Sequence, residues 1–144
     1  MNKKKLNNNG FSLVELIIVI AIMAVLIGVL APQYLGYVEK SKQSTDVQNA
    51  QQIAAEIAVN LAGIEAGDIT GMTIVQDGTY NEVTTSVVSA VPSIKKATGS
   101  KFFYAVDDKD IVHVAIAASA PSDNASDLYP SLGATAASTY NKIK

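Results

Sequence analysis

Twenty-one consecutive residues, Phe11 to Ala31, contain one charged side chain, Glu15. As an α-helix they would span about 31 Å, at ~1.5 Å per residue, close to the ~30 Å hydrocarbon thickness of a bilayer. Inside hydrocarbon every backbone N–H and C=O must be paired within the segment, so a lone span has to be helical. Lys3, Lys4 and Lys5 precede the run. The positive-inside rule then places the N-terminus in the cytoplasm and residues 32–144 on the far side.

Those later residues read as a soluble domain, rich in Ala, Ser, Thr, Asp and Gly, and a chain of 144 residues has room for one core. There is no arginine, and with Lys3 to Lys5 set aside, eight lysines face 13 acids, a balance of −5. Such a charge carries no electrostatic footprint for nucleic acid. The absence of cysteine excludes a disulfide framework, a thiolate nucleophile and a cysteine-based metal site.

Three readings of the apolar run compete. A secretory signal peptide accounts for the basic start, and Val29-Leu30-Ala31 has the small-x-small form of a cleavage site. Pro32 would follow that cut, however, and the run exceeds the usual ~7–15 apolar residues. A plain anchor accounts for length and orientation. It leaves Glu15 unexplained, because a carboxylate facing lipid costs about 2.5–3.5 kcal/mol unless it snorkels to the interface.

The third reading takes the acid and its surroundings together. The stretch GFSLVELIIVIAIMAVLIGVLAPQY resembles the N-terminal segment of type IV pilins, made as prepilins, and of their pseudopilin relatives. A short charged leader ends in Gly10, Phe11 follows, and Glu15 comes four residues later at the head of the apolar run. The resemblance covers roughly Gly10 to Tyr37 and fades beyond. It implies a leader of residues 1–10 cut after Gly10 by a membrane prepilin peptidase, and N-methylation of the new amine on Phe11 by the same kind of enzyme. It implies further that Glu15 pairs with the Phe11 amine of a neighbouring subunit. A buried carboxylate is tolerable beside a cation, so that pair would reward one axial register. Glu15 also lies one helical turn from its own Phe11 amine. The implied partners are copies of the chain, the peptidase and N-methyltransferase, an assembly platform with its ATPase, and membrane lipid before assembly. The implied product is an extracellular type IV pilus. A pseudopilin of a type II secretion or competence DNA-uptake system shares the same N-terminus. A membrane-anchored or secreted binding domain that does not polymerise is the rival of another class.

The helical pattern continues past the apolar run. Val47, Ala50, Ile53, Ala54, Ile57, Ala58 and Leu61 recur at spacings of three and four, with Gln48, Asn49, Gln51, Gln52 and Glu56 largely off that stripe. One helix is expected from about Phe11 to about Ala62, with Gly63 as its C-cap. Its segment 11–32 would anchor and polymerise, and segment 33–62 would be the amphipathic wall of the soluble domain. Pro32 removes a donor and is expected to kink the helix. Tyr34 and Tyr37 fit an aromatic belt at a membrane interface.

Residues 63–144 read as an antiparallel sheet domain. The turn-rich stretch from Gly63 to Glu82 suggests a loop with a short strand at Met72 to Val75. The stretch VTTSVVSAVPSIKK is ambiguous between strand and helix. KFFYAV (101–106) and IVHVAIA (111–117) flank the turn DDKD as a hairpin, with Val112, Val114 and Ile116 as the core face. SDLYPSL adds an edge strand that ends at Pro130. The expected class is α+β: a long N-terminal helix, apolar then amphipathic, packed on a small antiparallel sheet of three or four strands, as in the type IV pilin fold. The stretch from Gly133 on, Ala- and Thr-rich with a lysine tail, is expected to be loosely ordered.

Little in this domain points to catalysis. His113 is the sole histidine and reads as a structural side chain without an obvious partner. Asp107, Asp108 and Asp110 are calcium candidates, but their spacing does not match an EF-hand, and a solvated turn is the simpler reading. Asn124-Ala125-Ser126 is a formal glycosylation sequon. No phosphate loop or nucleophile–base pair is evident, so a structural subunit without cofactor or resident metal is expected rather than an enzyme.

Overall fold

The computed structural model describes residues 11–97, 99–131 and 133. Helix α1 spans Leu13–Ala66 and continues through Pro32. Four strands follow: β1 (Asn81–Glu82), β2 (Lys101–Val106), β3 (Val112–Ala117) and β4 (Asp127–Tyr129), with a short 3₁₀ turn at Asn124–Ser126. The chain divides into two compact units between Val38 and Glu39. The expected leader, residues 1–10, and the tail after Gly133 lie outside the described residues.

In the first unit the described residues from Leu13 on are helical. Its apolar side chains have no cover of their own: Leu16, Ile20, Val25 and Leu30 are all more than half exposed. This is the one helix among the described residues that is long and apolar enough to cross a membrane.

In the second unit, the α1 residues Ala50, Ile53, Ala54, Ile57 and Leu61 are buried against the sheet. Val47 packs at the margin of that core, whereas Ala58 is exposed, so the expected stripe holds apart from that alanine. The strands form one antiparallel sheet in the order β1-β2-β3-β4. Phe102, Tyr104 and Val106 of β2, Val112 and Val114 of β3, and Leu128 of β4 turn toward the helix. The alternation expected for the hairpin is therefore observed, with Ile116 half-buried on the same face.

Two local expectations are corrected. The helix ends four residues later than Ala62, and Gly67, at φ +81°, is its left-handed terminator. Gly67 N–H donates to the Ile64 carbonyl and Asp68 N–H to the Gly63 carbonyl, the paired bonds of a Schellman motif. Gly63 sits one turn inside the helix instead, where a side chain would collide with Ile69. Met72 to Val75 is not a strand; Ile74 is buried and Met72 packs against the core, but neither joins the ladder. The first strand is Asn81–Glu82, paired with Tyr104 and Phe103.

The ambiguous stretch 83–96 is neither strand nor helix. Val83, Val87 and Val88 enter the core, and α1 supplies the hydrogen bonds that the loop lacks. Asn60 Nδ2 donates to the Val87 carbonyl at 3.0 Å. Glu56 accepts from both the N–H and the hydroxyl of Ser89. Asp46, fully buried, accepts from Lys95 N–H at 2.7 Å and Lys96 N–H at 2.9 Å. Glu39 pairs with the Lys96 ammonium. A buried loop needs partners for its backbone, and the polar edge of the helix provides them.

Replacing Asp46 with alanine orphans the two N–H groups that it holds. Asp46→Ala is expected to destabilise the folded chain by about 2–3 kcal/mol, read from urea unfolding, and Asp46→Asn by less because an amide oxygen still accepts.

Candidate processing and assembly site

The start of α1 is closed by its own sequence. Ser12 is the N-cap: its Oγ accepts from Val14 N–H at 3.3 Å, and its carbonyl accepts from Leu16 N–H at 3.2 Å. Glu15, three residues on, reaches back so that its Oε2 accepts from Ser12 N–H at 2.9 Å. The Glu15 bond is the carboxylate half of a capping box, with the Ser12 hydroxyl serving Val14 N–H in place of Glu15 N–H, and together they satisfy donors that a helix start otherwise leaves orphaned. The carboxylate also lies in the first turn, where the helix dipole favours negative charge. Phe11, just ahead of the cap, is 93% exposed. Ser-x-x-Glu is a local signature, legible in the sequence without any family knowledge.

The carboxylate of Glu15 therefore has a partner inside a single chain, at the mouth of the apolar segment. Pro32 lies within α1, and among the described residues nothing packs beside Gly28 or Gly36 around it. Tyr34 and Tyr37 are exposed at 68% and 70%. Gly10 lies outside the described residues.

Residues 5–31 match the family model for the prokaryotic N-terminal methylation motif, which is characteristic of type IV pilins and prepilins. The chain carries a prepilin-type N-terminus. No curated protein and no solved structure matches it. The matched span contains Gly10, Phe11 and Glu15 and most of the apolar run. Its fold, a long N-terminal helix with a four-stranded antiparallel sheet, agrees with the pilin architecture. The apolar helix and the motif together fit a membrane-anchored precursor.

The second unit holds another polar constellation, on the sheet face turned away from α1. His113, expected to lack a partner, has two. Its Nδ1 lies 2.7 Å from Asp127 Oδ2, and its Nε2 lies 3.5 Å from Asp107 Oδ2. Asp127, buried at 2% exposure, also accepts the Tyr80 hydroxyl. Burial pushes the Asp127 carboxyl above the ordinary carboxylate range, against the bonds from Tyr80 and His113 that pull it down. Burial, then the Asp127 bond, push the Tyr80 phenol upward. Tyr80 and Asp127 carried no local signal; pairing of β3 with β4 brings Asp127 opposite Ala115, beside His113.

The three calcium candidates are placed by the hairpin. Asp107 Oδ1 accepts from Lys109 N–H at 2.9 Å and Ile111 N–H at 2.8 Å, so this carboxylate folds the turn. These backbone bonds, that of Ile111 foremost, hold it below the usual carboxylate range. Asp108 is exposed, and Asp110 adopts φ 58°, a left-handed turn position that aspartate tolerates. Among the described residues, no group of three or more His, Asp or Glu side chains converges as a metal site. Asn124 of the sequon is exposed in the 3₁₀ turn.

Ser12→Ala removes one half of the capping box. We expect the first turn of α1 to fray, with lost amide protection at residues 13–15 in micelles and a cost of about 1 kcal/mol.

Proposed function

We propose that this chain is the precursor of a structural subunit of a type IV pilus-like filament. The observation that carries the reading is the prepilin junction itself, Gly10-Phe11 with Glu15, at the head of a helix whose apolar side chains are exposed. The proposed route begins with insertion of residues 11–32 as a membrane helix. A prepilin peptidase cuts after Gly10, where the missing side chain lets catalytic groups approach the backbone. The Phe11 amine is N-methylated and keeps its capacity for positive charge. The mature subunit then leaves lipid for a filament core made of other apolar helices, on an assembly platform driven by an ATPase. There Glu15 exchanges Ser12 N–H for the Phe11 amine of a neighbour. Pro32, with one backbone donor missing, is the place where the helix bends as it enters the core.

Two measurements test this. The first is the mass of the N-terminal peptide from the native cell envelope, expected to begin at Phe11 with one added methyl group. A peptide beginning at Pro32 or Met1 would overturn the route.

The second separates the two roles of Glu15. Glutamine preserves the capping box but carries no charge. Glu15→Gln is expected to insert and be cut normally, yet to lower the yield of sheared surface filaments at least tenfold, as does Glu15→Val. Filaments at normal yield from Glu15→Gln would show that the charge has no part in assembly. Retention of the wild-type protein in the envelope, with no sheared filaments, would favour the pseudopilin role.

A further inference from the structure

Charge is unevenly spread over the second unit, and the proposed function makes no use of it. Between Glu39 and Gly133 there are six lysines and 12 acids. Four of the six, Lys40, Lys42, Lys95 and Lys96, gather at the Glu39 end of α1. Lys40 and Lys42 lie on the helix in the turn after Glu39, and both are exposed. Lys95 and Lys96 come from the loop. Asp46 brings them to the helix by accepting both of their backbone N–H groups, and Glu39 completes the tie by pairing with the Lys96 ammonium.

The two acids at this end are already engaged. Asp46 is buried with a backbone N–H on each oxygen, and Glu39 holds Lys96. Lys95 is exposed, and its ammonium bonds the Ser93 hydroxyl at 2.6 Å. Among the described residues, no carboxylate forms an ion pair with Lys40, Lys42 or Lys95. Over the rest of the unit the other ten acids face only Lys101 and Lys109. An acidic domain thus carries one basic patch, and its place along the chain points to a partner. The apolar run ends at Ala31, and the exposed Tyr34 and Tyr37 follow at a spacing that suits a membrane interface. Val38 closes the first unit and Glu39 opens the second. The headgroup layer extends about 5–7 Å beyond the hydrocarbon on each side. Helix side chains lean toward the helix N-terminus, here toward the apolar run, and the long stem of lysine extends the reach of its ammonium.

We propose that Lys40, Lys42 and Lys95 bind the phosphate groups of anionic phospholipids in the leaflet that the domain faces while the chain is anchored in the bilayer. Lys96 lies at the margin of the patch, held by Glu39. Lysines clustered just beyond a membrane helix are attracted to an anionic surface, and salt weakens that attraction. Asp46 then has a second task, since the bonds that anchor the loop also place Lys95 beside the helix lysines. The binding needs the membrane-anchored helix and no polymerisation.

The full chain in lipid nanodiscs, with one copy in each disc, tests this by acetylation footprinting, the labelling rate of each lysine being read by mass spectrometry. Discs of phosphatidylcholine alone are compared with discs that contain about 30 mol% phosphatidylglycerol. Labelling of Lys40, Lys42 and Lys95 is expected to slow about threefold or more in the anionic discs, relative to Lys101 and Lys109 of the same molecules. Salt at about 1 M, where the Debye length is about 3 Å, should restore it. Lys40→Gln together with Lys42→Gln, both at exposed positions, should remove most of the slowing at Lys95. Equal rates in the two kinds of disc, slowing shared equally by Lys101 and Lys109, or undiminished slowing at Lys95 in the folded double variant would overturn the proposal. Slowing that appears in phosphatidylcholine discs only when two copies share a disc would assign the patch to acids of a second chain, and would overturn it too. The footprint needs no filament, so its failure leaves the reading of the chain as a pilus-like subunit standing, and a failure of filament yield leaves the patch standing.

Discussion

The apolar flank of α1 ahead of Glu39 cannot be left in water. Each Leu, Ile or Val moved out of water stabilises by about 1.5–3 kcal/mol, and more than a dozen such side chains stand exposed there. The rest of the molecule is arranged around that debt. Among the described residues nothing covers these side chains, which fits a membrane-anchored helix. The opposite holds from Glu39 onward, where the same helix presents alanine and isoleucine to a sheet and polar side chains to a loop. One secondary-structure element thus has two solvents written into it.

That second role explains how a small domain without disulfides holds an irregular segment. The loop 83–96 has no ladder of its own, yet its backbone is bonded to Asp46, Glu56 and Asn60. Asn60 lies fourteen residues after Asp46, about four helical turns along one side of the helix, with Ile53 buried between them. The carboxylate of Asp46 is out of water but bonded to two N–H groups, which is the condition under which burial of a charge is tolerated.

The parts legible in the sequence were those fixed by short-range periodicity. The apolar run, the stripe from Val47 to Leu61 and the hairpin of β2 and β3 follow from spacings of three, four and two, and the structure contains them. Gly63 looked like a terminator because it is the first glycine after the stripe; the Schellman bonds show that Gly67 takes that place. Met72 to Val75 has the composition of a strand but no neighbour to pair with. The loop 83–96 and the Tyr80–Asp127–His113 contacts depend on partners 27 or more residues away, or on a strand pairing, which no local pattern encodes. Ser12 and Glu15 carry a local Ser-x-x-Glu signature, so the N-terminal bonds of α1 are legible at short range.

The capping box changes how that acid should be understood in a polymer. A carboxylate with no partner in the monomer would behave as glue, since leaving a filament would strand it. Glu15 has Ser12 N–H to return to. On the proposed route, entry and exit would be a swap between two partnered states of one carboxylate. In the proposed filament the residue would act as a key that recognises one alignment, while apolar contact would supply the strength. A filament keyed in this way can be taken apart subunit by subunit, and each released helix re-enters the membrane with its first turn already closed.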